Sequence, residues 1–86
     1  MKSKRLLMFY SDNCESCGVM IVLVEKLEKN HNLKVDRFEA WYNQKNKKLL
    51  ERHVGLATVP FFYNEITGKK ISGETDFDTL EKWALG

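Results

Sequence analysis

The chain predicts an α/β fold of order β-α-β-α-β-β-α, a four-stranded mixed sheet with helices on both faces. Three observations carry this reading. Short apolar runs of strand length alternate with longer stretches whose apolar residues recur at helical spacing. Strand–helix–strand units imply parallel pairing through a crossover. A strand–turn–strand near the C-terminus then adds an antiparallel edge.

Each element follows from local signals. Arg5 to Tyr10 reads as a buried strand, short, apolar and stopped by the turn-forming Ser11-Asp12-Asn13. From Cys14 to about Asn30 the apolar positions Val19, Met20, Leu23, Val24 and Leu27 recur at helical spacing. Ile21, Val22 and Val24 are β-branched, which keeps a strand open as an alternative for that centre. Length favours a helix covered on most sides. Leu33 to Ala40 is a second strand. Asn43 caps a helix through His53, closed by Gly55 and basic at Lys45, Lys47 and Lys48. Val59 to Tyr63 is a strand with Pro60 at its start, where a missing N–H is tolerable. Asn64 to Gly68 forms a turn, and Lys69 to Ser72 returns as a short partner strand. Asp76 to Leu85 is a last helix with Phe77, Leu80, Trp83 and Ala84 on one face.

The 86 residues are read as one domain with a modest core, so any site must be built from few elements. A hydrophobic share of 43% and a charged share of 30% fit a soluble globular protein. The net charge of +2 argues against a nucleic-acid or anionic-membrane surface. The N-terminus is basic, but the apolar stretch behind it ends at Ser11-Asp12-Asn13 without a small-residue cleavage site, so no signal peptide is expected. No run reaches membrane-spanning length. The expected setting is cytoplasmic and reducing, and the expected state is a monomer.

The two cysteines, Cys14 and Cys17, flank Glu15-Ser16 between the first strand and the first helix. Two cysteines cannot make a disulfide scaffold of the secreted kind. Thiols at this spacing on the first turn of a helix can close a small disulfide. A sulfur over the unpaired N–H groups of the helix start is stabilised as a thiolate. Cys14, nearer solvent, reads as the nucleophile, and Cys17, one turn deeper, as the thiol that resolves a mixed disulfide. Asp12 and Glu15 oppose the thiolate, so its pKa should be depressed less than in the most oxidising sites of this kind. The competing readings are a soft-metal site, since two thiolates suit an ion such as Cu(I), or an accidental pair.

Elsewhere the signals are plainer. Ser72 to Phe77 reads as a helix start, with Thr75 and Asp78 in a capping-box-like pattern, and such a start can also bind a carboxylate. His31 and His53 read as solvated surface residues, and the lysines of the second helix as a solvated face that could steer acidic partners. Trp41, Tyr42 and Trp83 read as core or rim aromatics.

The CxxC at the first helix, Thr58-Val59-Pro60 at a strand start and Gly73-Glu74-Thr75-Asp76-Phe77 at the last helix occur together and in order. That set resembles the glutaredoxins of the thioredoxin-fold superfamily. The likeness of layout spans nearly the whole chain, with close identity confined to the three pieces. It implies a thioredoxin-like fold and a dithiol oxidoreductase that reduces protein disulfides or glutathione mixed disulfides. Cys14 would attack and Cys17 resolve. No bound cofactor or metal is implied, and glutathione would be the electron donor. A cis bond before Pro60 is implied, leaving the Val59 backbone free to pair with substrate, and Thr58, Val59 and Pro60 would line the groove. Thr75 and Asp76 match the positions that hold the γ-glutamyl end of glutathione.

The sequence also departs from that family. Glu15-Ser16 replaces the usual Pro-Tyr, Ser11 stands where a Lys or Arg is common, Ser72-Gly73 replaces Gly-Gly, and Glu51 falls where Gln is frequent. The changes at Ser11, Asp12 and Glu51 are less favourable to an anionic tripeptide and leave the dithiol chemistry intact. The hairpin around Gly68 and Ser72-Gly73 are similar to glutaredoxin-like donors to ribonucleotide reductase, which a thioredoxin reductase recharges. A thioredoxin proper is not expected, because Trp-Cys-Gly-Pro-Cys is absent and Met8 stands where that family buries an acid.

Overall fold

A computed structural model describes residues 5–55 and 58–86. Its elements are β1 (Leu6–Tyr10), α1 (Glu15–His31), β2 (Val35–Glu39), α2 (Gln44–Val54), β3 (Phe61–Asn64), β4 (Lys70–Ser72) and α3 (Phe77–Leu85). The order is the one the sequence predicts. The strands lie β2-β1-β3-β4, with β1 parallel to β2 and antiparallel to β3, and β3 antiparallel to β4. This register makes β1, β2 and β4 run in one direction. All three helices therefore start at the same end of the sheet.

Alternation along the central strands divides the core between two faces. Leu6 and Met8, with Phe62 from β3, pack against Met20, Val24 and Leu27 of α1 and Leu80 and Trp83 of α3. Leu7, Phe9 and Phe61 turn the other way, against Ala40 and Leu50. Both faces of β1 are thus buried, which is why its run is continuously apolar. From α2, Leu50 is buried in this second cluster and Leu49 packs against it partly buried.

Polar anchors lock the β3–β4 hairpin onto α3. The buried Asn64 side chain donates to the Trp83 carbonyl at 2.7 Å and accepts from the N–H groups of Ile66 and Thr67. The Trp83 indole donates to the Lys69 carbonyl at 3.1 Å while its ring meets Phe62 edge-on. A buried amide satisfied on both sides fixes the turn and the helix together.

The element ends differ from the sequence reading by small shifts with local causes. Cys14 is the N-cap of α1 rather than its first residue, and Asn32, at φ 51°, ends the helix in the left-handed conformation. β2 begins at Val35, two residues after its predicted start. Pro60 lies before β3, and the Val59–Pro60 peptide is cis, as the resemblance implies.

Three expectations need correcting. The cap of α3 is Asp76, whose carboxylate accepts the Thr79 N–H at 2.7 Å; Thr75 lies one residue outside and caps nothing. The first helix is not covered on most sides, since Val19 and Val22 are 51% and 64% exposed on the face away from the sheet. His31 stays at the surface, as expected, while His53 is partly buried. His31 lies 2.7 Å from the Glu81 carboxylate, joining α1 to α3. His53 packs against Tyr63 with ring centroids 4.3 Å apart and the planes tilted, and burial holds its pKa below the ordinary value against the pull of Glu65, with Lys70 and Arg52 adding to the depression.

Candidate functional site

The site begins at the end of β1. Ser11 is buried, the chain turns through Asp12 and Asn13, and Cys14 takes extended backbone at φ −112° and ψ 114°. That geometry aims the Cys14 sulfur back at the helix start, where it accepts the Cys17 N–H at 3.1 Å. A sulfur in this place receives one of the orphan donors of the helix and sits at the positive end of its dipole. Both effects favour the thiolate over the thiol. Cys14 and Cys17 are joined as a disulfide with their Cα atoms 5.1 Å apart. Cys14 is half-buried and Cys17 fully buried. One sulfur meets the surface, and the other stands behind it.

Cys14 opens into a groove of about 440 Å³ lined by Ser11, Asn13, Cys14, Trp41, Thr58 and Val59. Of the residues singled out from sequence, Cys14, Thr58 and Val59 meet there. Cys17 underlies it, and Pro60 is buried behind Val59. Thr75 and Asp76 are not part of its lining. The Thr75 N–H points to the Met20 sulfur at 3.5 Å, and the Asp76 carboxylate is engaged at the start of α3. Gly73 ties the two regions together. Its N–H donates to the Pro60 carbonyl at 2.8 Å, and its φ of 88° requires glycine. Ser72 pairs with Phe61 inside β4, so a second glycine is not needed there.

Sequence reasoning missed the role of Trp41. Read as a core or rim aromatic, it is 47% exposed and forms a wall of the groove, while Tyr42 beside it is 61% exposed. The signal was available in the topology. β1 and β2 are parallel neighbours, so the loop after β2 must emerge beside the loop that carries Cys14. Glu39 fixes this second loop. Its carboxylate accepts the N–H groups of Trp41, Tyr42 and Asn43 at 3.3, 2.8 and 3.1 Å. Burial pushes the Glu39 pKa up, but the N–H groups of Tyr42, Asn43, Trp41 and Asp12 outweigh it and hold the group below its ordinary value. The Asn13 amide also donates to the Tyr42 hydroxyl, linking the cysteine loop to the aromatic one. Among the described residues, no three His, Cys, Asp or Glu side chains gather as a metal-ligand set.

No protein-family model matches the sequence, and no curated protein matches it. Solved structures do share its architecture. An uncharacterised thioredoxin-like protein from Clostridium perfringens superposes with a TM-score of 0.74 at 18% identity, over 92% of this chain and 66% of its own. Mitochondrial thioredoxin 3 from Saccharomyces cerevisiae, in its oxidised form, gives 0.64 at 18% identity, over 95% of this chain and 76% of its own. A structural-genomics target from X. campestris gives 0.63 at 18% identity, covering 91% of this chain and 92% of its own. The fold is thioredoxin-like. At this identity the likeness speaks for the fold alone, and the chemistry must be argued from the cysteine pair.

Proposed function

We propose that this protein is a thiol–disulfide oxidoreductase working through Cys14 and Cys17. One observation carries the reading: the two sulfurs are within bonding reach at the start of α1, with Cys14 open to a groove and Cys17 buried behind it. In the reduced protein the Cys14 thiolate attacks one sulfur of a substrate disulfide. The S–S bond breaks, the first substrate thiolate leaves and takes up a proton, and a mixed disulfide remains on Cys14. The Cys17 thiolate then attacks the Cys14 sulfur and expels the second substrate thiol. Two electrons have passed to the substrate, and the protein holds the Cys14–Cys17 disulfide.

The substrates of this reading are protein disulfides or glutathione mixed disulfides, in a reducing compartment such as the cytoplasm. Glutathione, as reductant, would reset the pair, with Thr58 and Val59 beside it in the groove and Thr75 and Asp76 toward its γ-glutamyl end. A second reading replaces glutathione by a thioredoxin-reductase-type flavoprotein. It is favoured by the groove lining, Ser11, Asn13, Cys14, Trp41, Thr58 and Val59 among the described residues, none of which carries a cation to receive the tripeptide's carboxylates.

Reduction of a small mixed disulfide separates the two. Turnover with NADPH, glutathione and glutathione reductase, retained in Cys17→Ser and absent in Cys14→Ser, is the expected result of the first. Turnover only with thioredoxin reductase and NADPH selects the second. Disulfide reduction that survives Cys14→Ser would refute both.

A further inference from the structure

The loop after β2 holds two large aromatic rings in water beside a reactive sulfur, and it does so with unusual firmness. Three successive N–H groups, from Trp41, Tyr42 and Asn43, converge on the Glu39 carboxylate, and the Asn46 side chain donates to the Glu39 carbonyl at 2.9 Å. The Asn43 side chain meanwhile accepts the Asn46 N–H at 3.0 Å to start α2. The backbone that carries Trp41 is therefore pinned to Glu39, with the ring outside the core. A ring fixed in advance loses little conformational entropy when a partner covers it, and Trp is the residue type that most often dominates binding in such places.

Charge around the groove is uneven. The Lys47 ammonium lies 5.3 Å from the centre of the Trp41 ring, within cation–π range. Lys47 belongs to a helix with Lys45, Lys48 and Arg52 against the single carboxylate of Glu51, while the whole chain is only +2. On the Cys14 side of the groove the exposed charges are Asp12 and Glu15. A bound segment thus meets cations behind Trp41 and carboxylates beside the cysteine.

We propose that Trp41, with Lys47 behind it, is the specificity wall of this site. It selects disulfide-bearing polypeptide segments that place an apolar or aromatic side chain on Trp41 and a carboxylate toward α2. This deepens the oxidoreductase reading and rests on it. The ring supplies contact area, and the basic helix steers approach and orients the segment.

The test uses the reduced full chain and two peptides of equal length, each carrying its cysteine as a mixed disulfide with thionitrobenzoate. One has Phe and Glu around the cysteine, the other Ser and Lys. Cys14 attacks the peptide sulfur, and thionitrobenzoate leaves as the coloured thiolate. Cys17 then displaces the peptide as a free thiol. The acidic aromatic peptide should react about tenfold faster, a factor within reach of one buried aromatic contact and its charge. Trp41→Ala should bring the ratio of the two rates close to unity. Trp41→Phe should keep most of it, and Lys47→Glu should reduce it with a weaker salt dependence. A general loss of reactivity lowers both rates and leaves their ratio unmoved. A wild-type ratio near unity, or one that survives Trp41→Ala and Lys47→Glu, would overturn the proposal while leaving the oxidoreductase reading standing. Release from neither peptide, or release undiminished in Cys14→Ser, would instead remove that reading and this inference with it.

Discussion

The starts of α1 and α3 are built alike and used differently. Both follow parallel strands to the same end of the sheet, and both are capped by a residue in extended backbone whose side chain accepts the N–H three positions on. At α3 the acceptor is the Asp76 carboxylate, which is charged at neutral pH and stays put. At α1 it is the Cys14 sulfur, a weak acceptor as a thiol and a better one as a thiolate. The same kind of orphan donor meets a carboxylate at one helix and a sulfur at the other. In the proposed function it is the sulfur placed at the cap, with the groove that Trp41, Thr58 and Val59 line beside it, that turns a helix start into a reactive one.

The largest effect is expected of Cys14→Ser. Serine is a strong N-cap, so the variant should melt at or above the temperature of the reduced wild type, while disulfide reductase turnover falls to background. A variant that loses its fold along with its activity would show that the sulfur is not interchangeable as a cap.

The middle helix supplies a smaller effect. Asn43 caps α2 with its side-chain oxygen on the Asn46 N–H, and nothing reactive is attached to it. Asn43→Ala should cost about 1 kcal/mol of stability, read as a lower urea midpoint with an unchanged slope. A slope that also changes would mean that the aromatic loop depends on this cap for its compactness.

The smallest effect concerns charge at Asp76. Its carboxyl lies below the ordinary value of 3.8, held down first by the Thr79 hydroxyl and then by the Thr79 N–H, against slight desolvation and with help from Lys82. A carboxylate depressed in the folded state contributes stability that is complete above 3.8 and is lost as pH falls through the lower folded value. Asp76→Asn keeps the cap and removes the charge. The wild type should melt higher than this variant at neutral pH, and the gap should narrow as the pH falls below 3.8. An equal gap at both pH values would assign the cap's contribution to hydrogen bonding alone.

Much of the site was legible because its signals are local. The Cys14–Cys17 spacing, the turn before it and the apolar period behind it lie within one strand–helix unit. Asn43 and Gly55 each stand at a boundary that a cap or a left-handed residue marks. At the start of α3 the local signals did not decide. Thr75 and Asp76 are adjacent good caps, and the choice between them depends on how the chain leaves β4. Burial failed in a similar way. Val19 and Val22 are as apolar as Val24, but only Val24 turns toward the sheet.

By itself, then, the sequence determined the order of elements, the helix starts and the position of a reactive pair on the first of them. Caps, turns and periodicities act within a few residues and need no partner from elsewhere in the chain. The tertiary structure decided what surrounds that pair. It brought Trp41 and Thr58 to Cys14, set His53 against Tyr63 and joined His31 to Glu81. Most of these relations link residues far apart in sequence. They follow from strand order and direction, which bring the loops after parallel strands to one end of the sheet whatever their separation along the chain.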